Sequence, residues 1–400
     1  MINIDIINFI NKYITKRDFS LFAKDLSSLD NILSDKINSK SILVIGGAGT
    51  IGSSFIKCLL KYMPSKLVIV DTNENSLTEL TRDLRSTNNQ YIPLDYRTYP
   101  MSYHDEVFRK MFINEKGFDI IANFAAHKHV RSEKDKYSIE AMLENNVFKA
   151  KEFLDLLLLY KPEKYFSVST DKAANPVNVM GASKKLMEDV MMSYSSLINI
   201  TTARFANVAF SNGSLLSGYI ERIQKKQPIS CPSDIKRFFV SPEESGQICL
   251  IACIVGMSGQ IFFPKLDESN LTKFKDITID FFKELNIEIV ECDNELDAKK
   301  ITTNFNNYPV YFFESDTSGE KLFEEFFTLD DEIDLDTFNS LGVIKNIKAK
   351  SFDEIDIIIN KLKKMFDSSN YEKSDIINII TENINNFTHI ETGKNLDQKM

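Results

Sequence analysis

The chain has 400 residues, of which 43% are hydrophobic and 26% are charged, a composition typical of a globular protein. A chain of this length buries a core that folds without disulfides or structural metals, and it has room for two or three domains. Its formal net charge of -9 argues against a general nucleic-acid binder and against a protein that binds anionic membranes, because both ligands favour basic surfaces.

Short apolar strands alternate with amphipathic helices through the first half of the chain. Residues 1–40 have helical periodicity and predict an N-terminal helical extension. The predicted strands that follow are Ser41–Ile45, Leu67–Val70, Ile120–Phe124 and Tyr165–Val168, and the predicted helices include Ser53–Tyr62 and Ile139–Leu159. Unbroken apolar strands separated by helices indicate a parallel sheet covered on both faces. The predicted fold is therefore α/β, a doubly wound parallel sheet of the Rossmann type.

Three glycines with the spacing Gly-x-x-Gly-x-x-Gly follow the first predicted strand. Gly46, Gly49 and Gly52 stand between this strand and a helix, where a tight turn without Cβ atoms lets the backbone approach a pyrophosphate. Asp71 ends the next strand, roughly 20 residues further on, where a carboxylate can accept hydrogen bonds from a ribose 2′-hydroxyl. The pattern predicts a dinucleotide site.

The acidic residue at the end of the second strand bears on the choice of cofactor. The carboxylate of Asp71 would repel a 2′-phosphate, which favours NAD over NADP, although Arg82 and Arg85 lie nearby in the sequence and keep NADP open. Asp95 follows the apolar stretch Ile92–Leu94 and is a candidate partner for the adenine amine.

The alternation of strands and helices weakens after about residue 205, which sets the predicted domain boundaries. The later segments predict a smaller, mixed α/β substrate-binding part. The predicted units are a helical extension (1–40), an NAD-binding domain (41–205, with 235–262 returning to it), a substrate-binding part (206–234 and 263–345) and a C-terminal helical segment with a tail (346–400). A stretch rich in Phe and acidic residues, 312–331, is interpreted as core packing with a solvated face.

The cysteine count and the N-terminus indicate the cellular compartment. The five cysteines form no CxxC pair, and an odd number of thiols is typical of a reducing compartment. Cys249 and Cys253 are four residues apart in an apolar stretch, and we interpret them as buried thiols on one helix face. The N-terminus lacks the features of a secretory signal, and no apolar stretch approaches the roughly 20 residues of a membrane span. We expect a cytoplasmic protein without a metal site.

The stretch Ser169–Lys184 is the most informative part of the sequence. It begins directly after a predicted strand, and doubly wound sheets bind ligands at the carboxyl ends of their strands. With Gly46–Gly52, Ala125–Val130, Arg204–Ser214 and Arg237–Ser241, it resembles the extended short-chain dehydrogenase/reductases. The resemblance is narrower to the polysaccharide-biosynthesis nucleotide-sugar 4,6-dehydratases, which act on UDP-N-acetylglucosamine. The matching segments follow one another in order over roughly residues 40–260.

One position departs from the family pattern. The resemblance implies a Tyr-x-x-x-Lys pair, but Met180 stands at the tyrosine position before Lys184. A thioether cannot act as a general base. The chain is therefore either a degenerate NAD-binding protein or a member of the dehydratase branch that carries Met and moves proton transfer to Asp171 and Lys172. We favour the second reading, because the Asp–Lys pair is kept; that branch is associated with retention of configuration at C5.

The resemblance implies catalytic roles for four residues. Hydride would pass from C4 of the hexose to the nicotinamide while Thr170 hydrogen-bonds the C4 oxygen, and Asp171, or a water held by Thr170, accepts the hydroxyl proton. Lys172 would remove the C5 proton, with a pKa lowered by burial and by nearby positive charges. Asp171 would then donate its proton to the departing C6 hydroxyl. Lys184 would bind the nicotinamide ribose.

The resemblance also implies contacts with the ligands. Arg237 is the candidate for the UDP pyrophosphate, because a guanidinium pairs with two phosphate oxygens; a surface ion pair is the alternative. Arg204 is interpreted as structural. The predicted cofactor-binding residues are Gly46, Gly49, Thr50, Ile51, Gly52, Asp71, Asp95, Ala125 and Lys184. The predicted substrate-binding residues are Lys128, Met180, Asn207, Ser214 and Arg237.

Together these features predict a lyase, an NAD-dependent 4,6-dehydratase of a UDP-linked N-acetylhexosamine that supplies sugars for surface glycans. The expected partners are the UDP-sugar and a second copy of the chain. The predicted helix Ile139–Leu159 is apolar enough to pack against another subunit, as extended family members commonly do, and ordinary core packing is the alternative explanation. Two alternatives stay open: a nucleotide-sugar 4-epimerase, which has no use for an acid–base pair aimed at C5 and C6, and a non-catalytic NAD-binding regulator.

Overall fold

Strands and helices alternate along the chain in a computed structural model that describes residues 4–301, 306–316, 318–321, 323–368 and 370–394. The strands are β1 (Ser41–Ile45), β2 (Lys66–Asp71), β3 (Asp95–Pro100), β4 (Ile120–Asn123), β5 (Lys164–Val168), β6 (Ile200–Ala203), β7 (Asn207–Val208), β8 (Ile229–Pro232), β9 (Lys236–Val240), β10 (Gln260–Pro264), β11 (Leu271–Lys273), β12 (Glu288–Cys292), β13 (Asn307–Phe313), β14 (Glu332–Asp334) and β15 (Leu341–Lys345).

The helices cover much of the remaining chain. They are α1 (Ile6–Phe9), α2 (Ala23–Ile37), α3 (Thr50–Leu60), α4 (Glu74–Ser86), α5 (Glu106–Asn114), α6 (Lys136–Leu143), α7 (Lys149–Leu159), α8 (Val179–Ser193), α9 (Leu215–Gln224), α10 (Pro242–Ile254), α11 (Phe274–Glu284), α12 (Glu295–Lys300), α13 (Phe352–Asp367) and α14 (Lys373–Asn383). Two π-helical turns, Ile10–Thr15 and Glu144–Phe148, follow α1 and join α6 to α7. None of the described helices is long and apolar enough to cross a lipid bilayer.

The largest sheet has the doubly wound order that the sequence predicts. Within the described residues it contains nine strands in the order β14-β15-β10-β6-β5-β4-β1-β2-β3. The strands from β10 to β3 are parallel, and β15 and β14 join them antiparallel. Chain order reverses between β1 and β4, which leaves a crevice at the carboxyl ends of these strands. The predicted fold class is confirmed.

The smaller part is built from short strands and a separate core. Strands β11, β9 and β7 form one sheet and β12, β13 and β8 another, among the residues described. Phe9 of the N-terminal extension packs in this core, with its ring 5.5 Å from that of Phe281. The start of the extension therefore belongs with the smaller part, whereas α2 contacts α10 beside the large sheet.

The predicted boundaries of the substrate-binding part differ from the structure at two places. β9 pairs with β7 and β11 in a small sheet. Within the predicted range 235–262, therefore, only the part from α10 onward belongs with the large sheet. β14 and β15 extend the large sheet, although they fall within the range 263–345. β14 has only three residues, and the sheet that β15 joins is set by its antiparallel pairing with β10, which lies about 80 residues earlier in the chain.

The predicted helix Ile139–Leu159 is interrupted by the π-helical turn, and α13 contacts it. The ring of Phe366 in α13 lies 6.0 Å from that of Phe148, and Lys151 pairs with Asp356 at 3.2 Å. The C-terminal helix α13 thus contacts part of this helical stretch, while Tyr137 and Leu159 stay exposed.

Helices α3 and α10 pack closely against each other, and Gly246 permits this approach. A Cβ atom at position 246 would lie 2.4 Å from the carbonyl carbon of Ser54 in the backbone of α3. A backbone neighbour cannot move aside as a flexible side chain can, so an added methyl group has to separate the helices.

Gly246→Ala should lower the free energy of unfolding by about 1–3 kcal/mol, because the methyl group overpacks the contact between the two helices. Gly218 in α9 is the matched control: a Cβ atom there meets no described atom within 4 Å, and alanine is the better helix former. Gly218→Ala should leave the stability unchanged or raise it by up to about 1 kcal/mol. Urea denaturation measures both, and equal effects would contradict this account of the packing.

Candidate active site

A cleft of about 1110 Å³ opens where the parallel strands end, and residues of both the large and the smaller sheets line it. Most of the predicted site residues contribute to its walls, including all of the predicted substrate-binding residues. The predicted residues that line it are Gly46, Gly49, Thr50, Ile51, Gly52, Asp71, Ala125, Lys128, Thr170, Lys172, Met180, Lys184, Asn207, Ser214 and Arg237. Asp95 and Asp171 do not line the cleft.

The glycine turn between β1 and α3 has the geometry of a close backbone approach. Gly46 has φ +70°, and a Cβ atom there would lie 2.7 Å from the amide nitrogen of Ala125. A Cβ atom at Gly52 would lie 2.4 Å from the Gly46 carbonyl oxygen. Asp71 supports the turn, since its Oδ2 accepts a 3.0 Å hydrogen bond from the Ala48 N–H. At the glycines of this turn, therefore, no Cβ atom stands between the backbone at the start of α3 and the cleft.

The prediction for Asp95 is wrong. This residue begins β3 opposite Lys66, the first residue of β2, so it lies at the amino ends of the strands, away from the cleft. Its carboxylate pairs with Lys66 at 3.4 Å and with Arg97 at 2.7 Å. β3 continues to Pro100, and Met101 and Ser102 line the cleft after it. The strand starts where the sequence suggested that it ended, because its alternation of polar and aromatic residues hides it.

The π-helical turn between α6 and α7 holds the loop that follows β4. The buried Asn146 side chain accepts a 2.9 Å hydrogen bond from the His127 N–H and donates one of 2.9 Å to the His127 carbonyl oxygen. It also donates to Ser183 Oγ in α8 at 3.0 Å. The neighbouring Asn145 lines the cleft. Two successive asparagines in this turn thus serve different surroundings, Asn146 the loop after β4 and Asn145 the cleft.

Thr170, Asp171 and Lys172 form a connected group after β5. Thr170 Oγ1 donates a 2.8 Å hydrogen bond to Asp171 Oδ1, and Lys172 Nζ donates one of 3.1 Å to the same oxygen. Thr170 and Lys172 line the cleft, whereas Asp171 is buried behind them. A substrate in the cleft therefore reaches the carboxylate only through its two neighbours.

The predicted lowering of the Lys172 pKa is wrong for this structure. Burial works to lower the pKa of Lys172, but the carboxylates of Asp171 and Glu324 outweigh it and raise the pKa above its usual value. The sequence interpretation omitted Glu324, whose carboxylate lies 3.7 Å from Lys172 Nζ. Lys172 is thus an ammonium in the resting site.

Met180 and Lys184 lie one turn apart on α8, and both line the cleft. Asn178 caps the helix by accepting a 2.7 Å hydrogen bond from the Gly181 N–H. Lys184 Nζ donates to the Val168 carbonyl oxygen at the end of β5, at 2.8 Å. Burial lowers the pKa of Lys184 to about 8, against a smaller opposing effect of the Glu188 carboxylate.

The remaining arginines have distinct positions. Arg204 binds the buried Glu188 carboxylate through Nε at 3.0 Å and Nη2 at 2.8 Å, which agrees with the structural role inferred from the sequence. Arg237 lines the cleft and is buried, so its ion pair with Glu320, at 2.7 Å, is not the surface pair of the alternative reading. Its Nη1 also donates to the Lys321 carbonyl oxygen at 2.9 Å.

The C-terminal segment contributes to the site in a way that the sequence did not indicate. Residues 386–394 cross the loop between Lys172 and α8, where the Ile390 N–H donates to the Val177 carbonyl oxygen at 3.0 Å. His389 pairs with the buried Glu133, whose other oxygen accepts a 2.6 Å hydrogen bond from the Val179 N–H. The tail therefore fixes the start of α8.

The fold and the cleft define a class of protein. A glycine turn at a switch point, a polar stretch after β5 and a lysine on the next helix are the arrangement of the extended short-chain dehydrogenase/reductases. The chain belongs to the family described as polysaccharide biosynthesis protein, whose model matches residues 42–346. The family resemblance seen in the sequence is confirmed.

Three relatives show how far the similarity extends. An uncharacterized membrane protein of Methanocaldococcus jannaschii is 30% identical over 78% of this chain and 87% of its own length. A UDP-N-acetylglucosamine 4,6-dehydratase (inverting) of Campylobacter jejuni is 27% identical over 59% of this chain and 70% of its own. A UDP-glucose 4-epimerase of Rickettsia akari is 30% identical over 58% of this chain and 68% of its own.

Longer proteins and a solved structure also match. The chain spans 43% of the length of the capsular polysaccharide biosynthesis protein CapD of Staphylococcus aureus, which is 28% identical over 64% of this chain. The solved structure of Pen from Bacillus thuringiensis matches with a TM-score of 0.64 and 20% identity, over 79% of this chain and 90% of that chain. At this identity the structural match supports the fold.

The stability contributed by Lys184 should depend on pH. Its folded pKa of about 8 lies below the usual 10.5, so the unfolded chain binds the extra proton between these values and the native state gains stability as pH rises through them. Between about pH 7.5 and 10, the wild type should gain roughly 2–3 kcal/mol of unfolding free energy relative to Lys184→Met.

Urea denaturation at several pH values measures this difference, and Lys185→Met is the control. The Asp189 carboxylate outweighs the effect of burial on Lys185 and raises its pKa, so its substitution should give a flat difference over the same range. A flat difference for Lys184→Met as well would show that Lys184 is not held in a low-pKa environment.

Proposed function

We propose that the protein is an NAD-dependent 4,6-dehydratase of a UDP-linked N-acetylhexosamine, with UDP-N-acetylglucosamine as substrate and retention of configuration at C5. The observation that carries the proposal is the convergence of Thr170, Lys172, Met180 and Lys184 on one cleft, with Asp171 bonded to two of them. The relative in Campylobacter jejuni supports the reaction, and the family supports a place in polysaccharide biosynthesis.

The residues of the glycine turn fit a dinucleotide. Gly46 and Gly52 leave no space for a Cβ atom, and the start of α3 offers backbone N–H groups to a pyrophosphate. Asp71 lines the cleft at the ribose position, whereas Arg82 and Arg85 do not line it, which favours NAD over NADP. When bound, NAD accepts hydride from C4 of the sugar and returns it to C6.

The C4 hydroxyl proton has a path to a buried base. With the C4 hydroxyl against Thr170 Oγ1, the substrate proton passes to this oxygen while the Thr170 proton moves to Asp171 Oδ1, 2.8 Å away. Asp171 thus acts through Thr170. A methionine at position 180 needs no part in this transfer, since its thioether only shapes the apolar wall of the cleft.

Lys172 transfers protons both at the C6 hydroxyl and at C5. In one concerted step its ammonium donates a proton to the C6 hydroxyl while the same nitrogen takes the proton from C5, which the C4 carbonyl acidifies. The C5–H electron pair forms the C5–C6 double bond as water leaves. After hydride has reached C6, the ammonium returns a proton to C5. Asp171, 3.1 Å from Lys172 Nζ and carrying the C4 proton, then reprotonates the amine. When one water has left, Thr170, Asp171 and Lys172 have each returned to the protonation state in which they began.

The nucleotide end of the substrate fits the opposite wall of the cleft. Arg237 presents a buried guanidinium, and Ser214 caps the start of α9, whose first residues line the cleft. Asn207 and Lys128 line the same cleft as Thr170 and Lys172 of the catalytic stretch, Thr170–Lys172. Cationic and N–H donors in this position suit a pyrophosphate.

The 4-epimerase is the second candidate, favoured by the relative in Rickettsia akari. An epimerase re-reduces C4 and leaves C5 and C6 untouched, so it has no use for Lys172 between two carboxylates. The third candidate, a non-catalytic NAD-binding regulator, does not account for a cleft that continues past the cofactor turn to Arg237.

Incubation of the protein with NAD and UDP-N-acetylglucosamine should give a product lighter by one water in mass spectrometry. Lys172→Met should lower turnover at least about a hundredfold, because one nitrogen serves as both acid and base, while NAD affinity stays within a few-fold. Lys185→Met on the same helix as Lys184 is the control and should retain turnover.

Three other outcomes would decide against the proposal. A product of unchanged mass in the galacto configuration selects the epimerase. An absence of reaction with several nucleotide sugars selects the regulator. Turnover of Lys172→Met near that of the wild type would exclude Lys172 from proton transfer.

A further inference from the structure

The segment formed by residues 319–321 and 323–326 packs behind the catalytic stretch. The Gly319 carbonyl oxygen accepts a 2.8 Å hydrogen bond from Asn178 Nδ2, and the Phe326 carbonyl oxygen accepts one of 2.9 Å from Arg204 Nη1. The ring of Phe326 lies 5.4 Å from that of Phe238 and 6.1 Å from that of Phe263. Both ends of this segment are therefore held against the large sheet and the start of α8.

Glu324 is the acidic residue that this packing buries. Its side chain is 3% exposed, and its carboxylate lies 3.7 Å from Lys172 Nζ. Its neighbour Glu325 is exposed and accepts a hydrogen bond from Asn175. A carboxylate is rarely buried without a cationic partner, and Lys172 is the cation with which Glu324 forms an ion pair.

The charges around Lys172 come from several elements. Asp171 and Glu324 contact it from two directions, and Arg237 opposes its charge from β9. Burial raises the pKa of Glu324, while Lys172, Arg237 and Lys321 work against that rise and Asp171 adds to it. Glu320 forms an ion pair with Arg237. The Lys172 ammonium thus lies between two carboxylates.

We propose that Glu324 is a positioning residue that holds the Lys172 nitrogen in place and charged while Asp171 carries the proton from the substrate. The proposal rests on the dehydratase function. Once the C4 proton has reached Asp171, this side chain is neutral and attracts the ammonium less. Glu324 is then the carboxylate that keeps Lys172 at the cleft wall, ready to donate to C6. Glu324 does not line the cleft and acts only through Lys172.

Glu324→Gln tests the proposal because it keeps the shape and removes the charge. We expect kcat to fall about tenfold to a hundredfold, since the reacting nitrogen loses its anchor, while KM stays within about threefold. The pKa of Lys172 should fall by about one unit, so activity should be lost at a lower alkaline pH than in the wild type. Glu325→Gln is the matched control and should leave kcat and the pH profile unchanged.

The pKa of Lys172 can be measured without turnover. Competitive labelling with acetic anhydride at a series of pH values, read by mass spectrometry of the peptide that carries Lys172, gives it for the wild type and both variants. If the wild type converts no nucleotide sugar, the dehydratase function fails, and the labelling still decides whether Glu324 controls Lys172.

Two results would overturn the proposal: a kcat of Glu324→Gln within twofold of the wild type, or an unchanged Lys172 pKa. If Glu324→Gln is unfolded by circular dichroism, Glu324→Asp replaces it. The shorter carboxylate keeps the charge but not the reach, so kcat should fall at least about fivefold with the Lys172 pKa held within about half a unit. An unchanged kcat in that variant would equally overturn the proposal.

Discussion

Parallel strands that end at one edge of a sheet are the constraint on which this molecule depends. β1 and β4 are neighbours although the chain passes through β2 and β3 between them, and the crevice at this point receives the glycine turn. β5 ends beside this crevice, and the catalytic stretch follows directly after this strand. Asp171 connects two residues of this stretch, because one buried oxygen accepts hydrogen bonds from both Thr170 and Lys172. Without that shared oxygen, the two side chains would have no common proton acceptor.

Irregular elements hold in place the loops and the helix start that follow the strands of the regular sheet. The π-helical turn at Glu144–Phe148 places Asn146 against the backbone of His127, which fixes the loop after β4. The C-terminal tail reaches the start of α8 through Glu133, and residues 319–321 and 323–326 pack behind the catalytic stretch. These three supports come from distant parts of the chain, and each contacts the loop or the helix that carries site residues.

Much of the fold and part of the site could be predicted from the sequence. The unbroken apolar strands predicted the parallel sheet, and residues tied to a strand end or to the glycine turn, such as Asp71 and Thr170, do line the cleft. Asp95 was misplaced because β3 alternates polar and aromatic residues. Glu324 was missed because its partner, Lys172, lies about 150 residues away, and no local pattern marks a buried acid within an acidic stretch. The raised pKa of Lys172 depends on that same long-range contact.

The central claim is that one cleft oxidises C4, eliminates water across C5 and C6 and reduces C6 without releasing the intermediate. The direct measurement uses UDP-N-acetylglucosamine carrying deuterium at C4, with NMR and mass spectrometry to locate the label in the product. The account predicts deuterium at C6 of the same molecule, in a product that has lost one water. Deuterium retained at C4 in a product of unchanged mass, or lost from the sugar altogether, would contradict it.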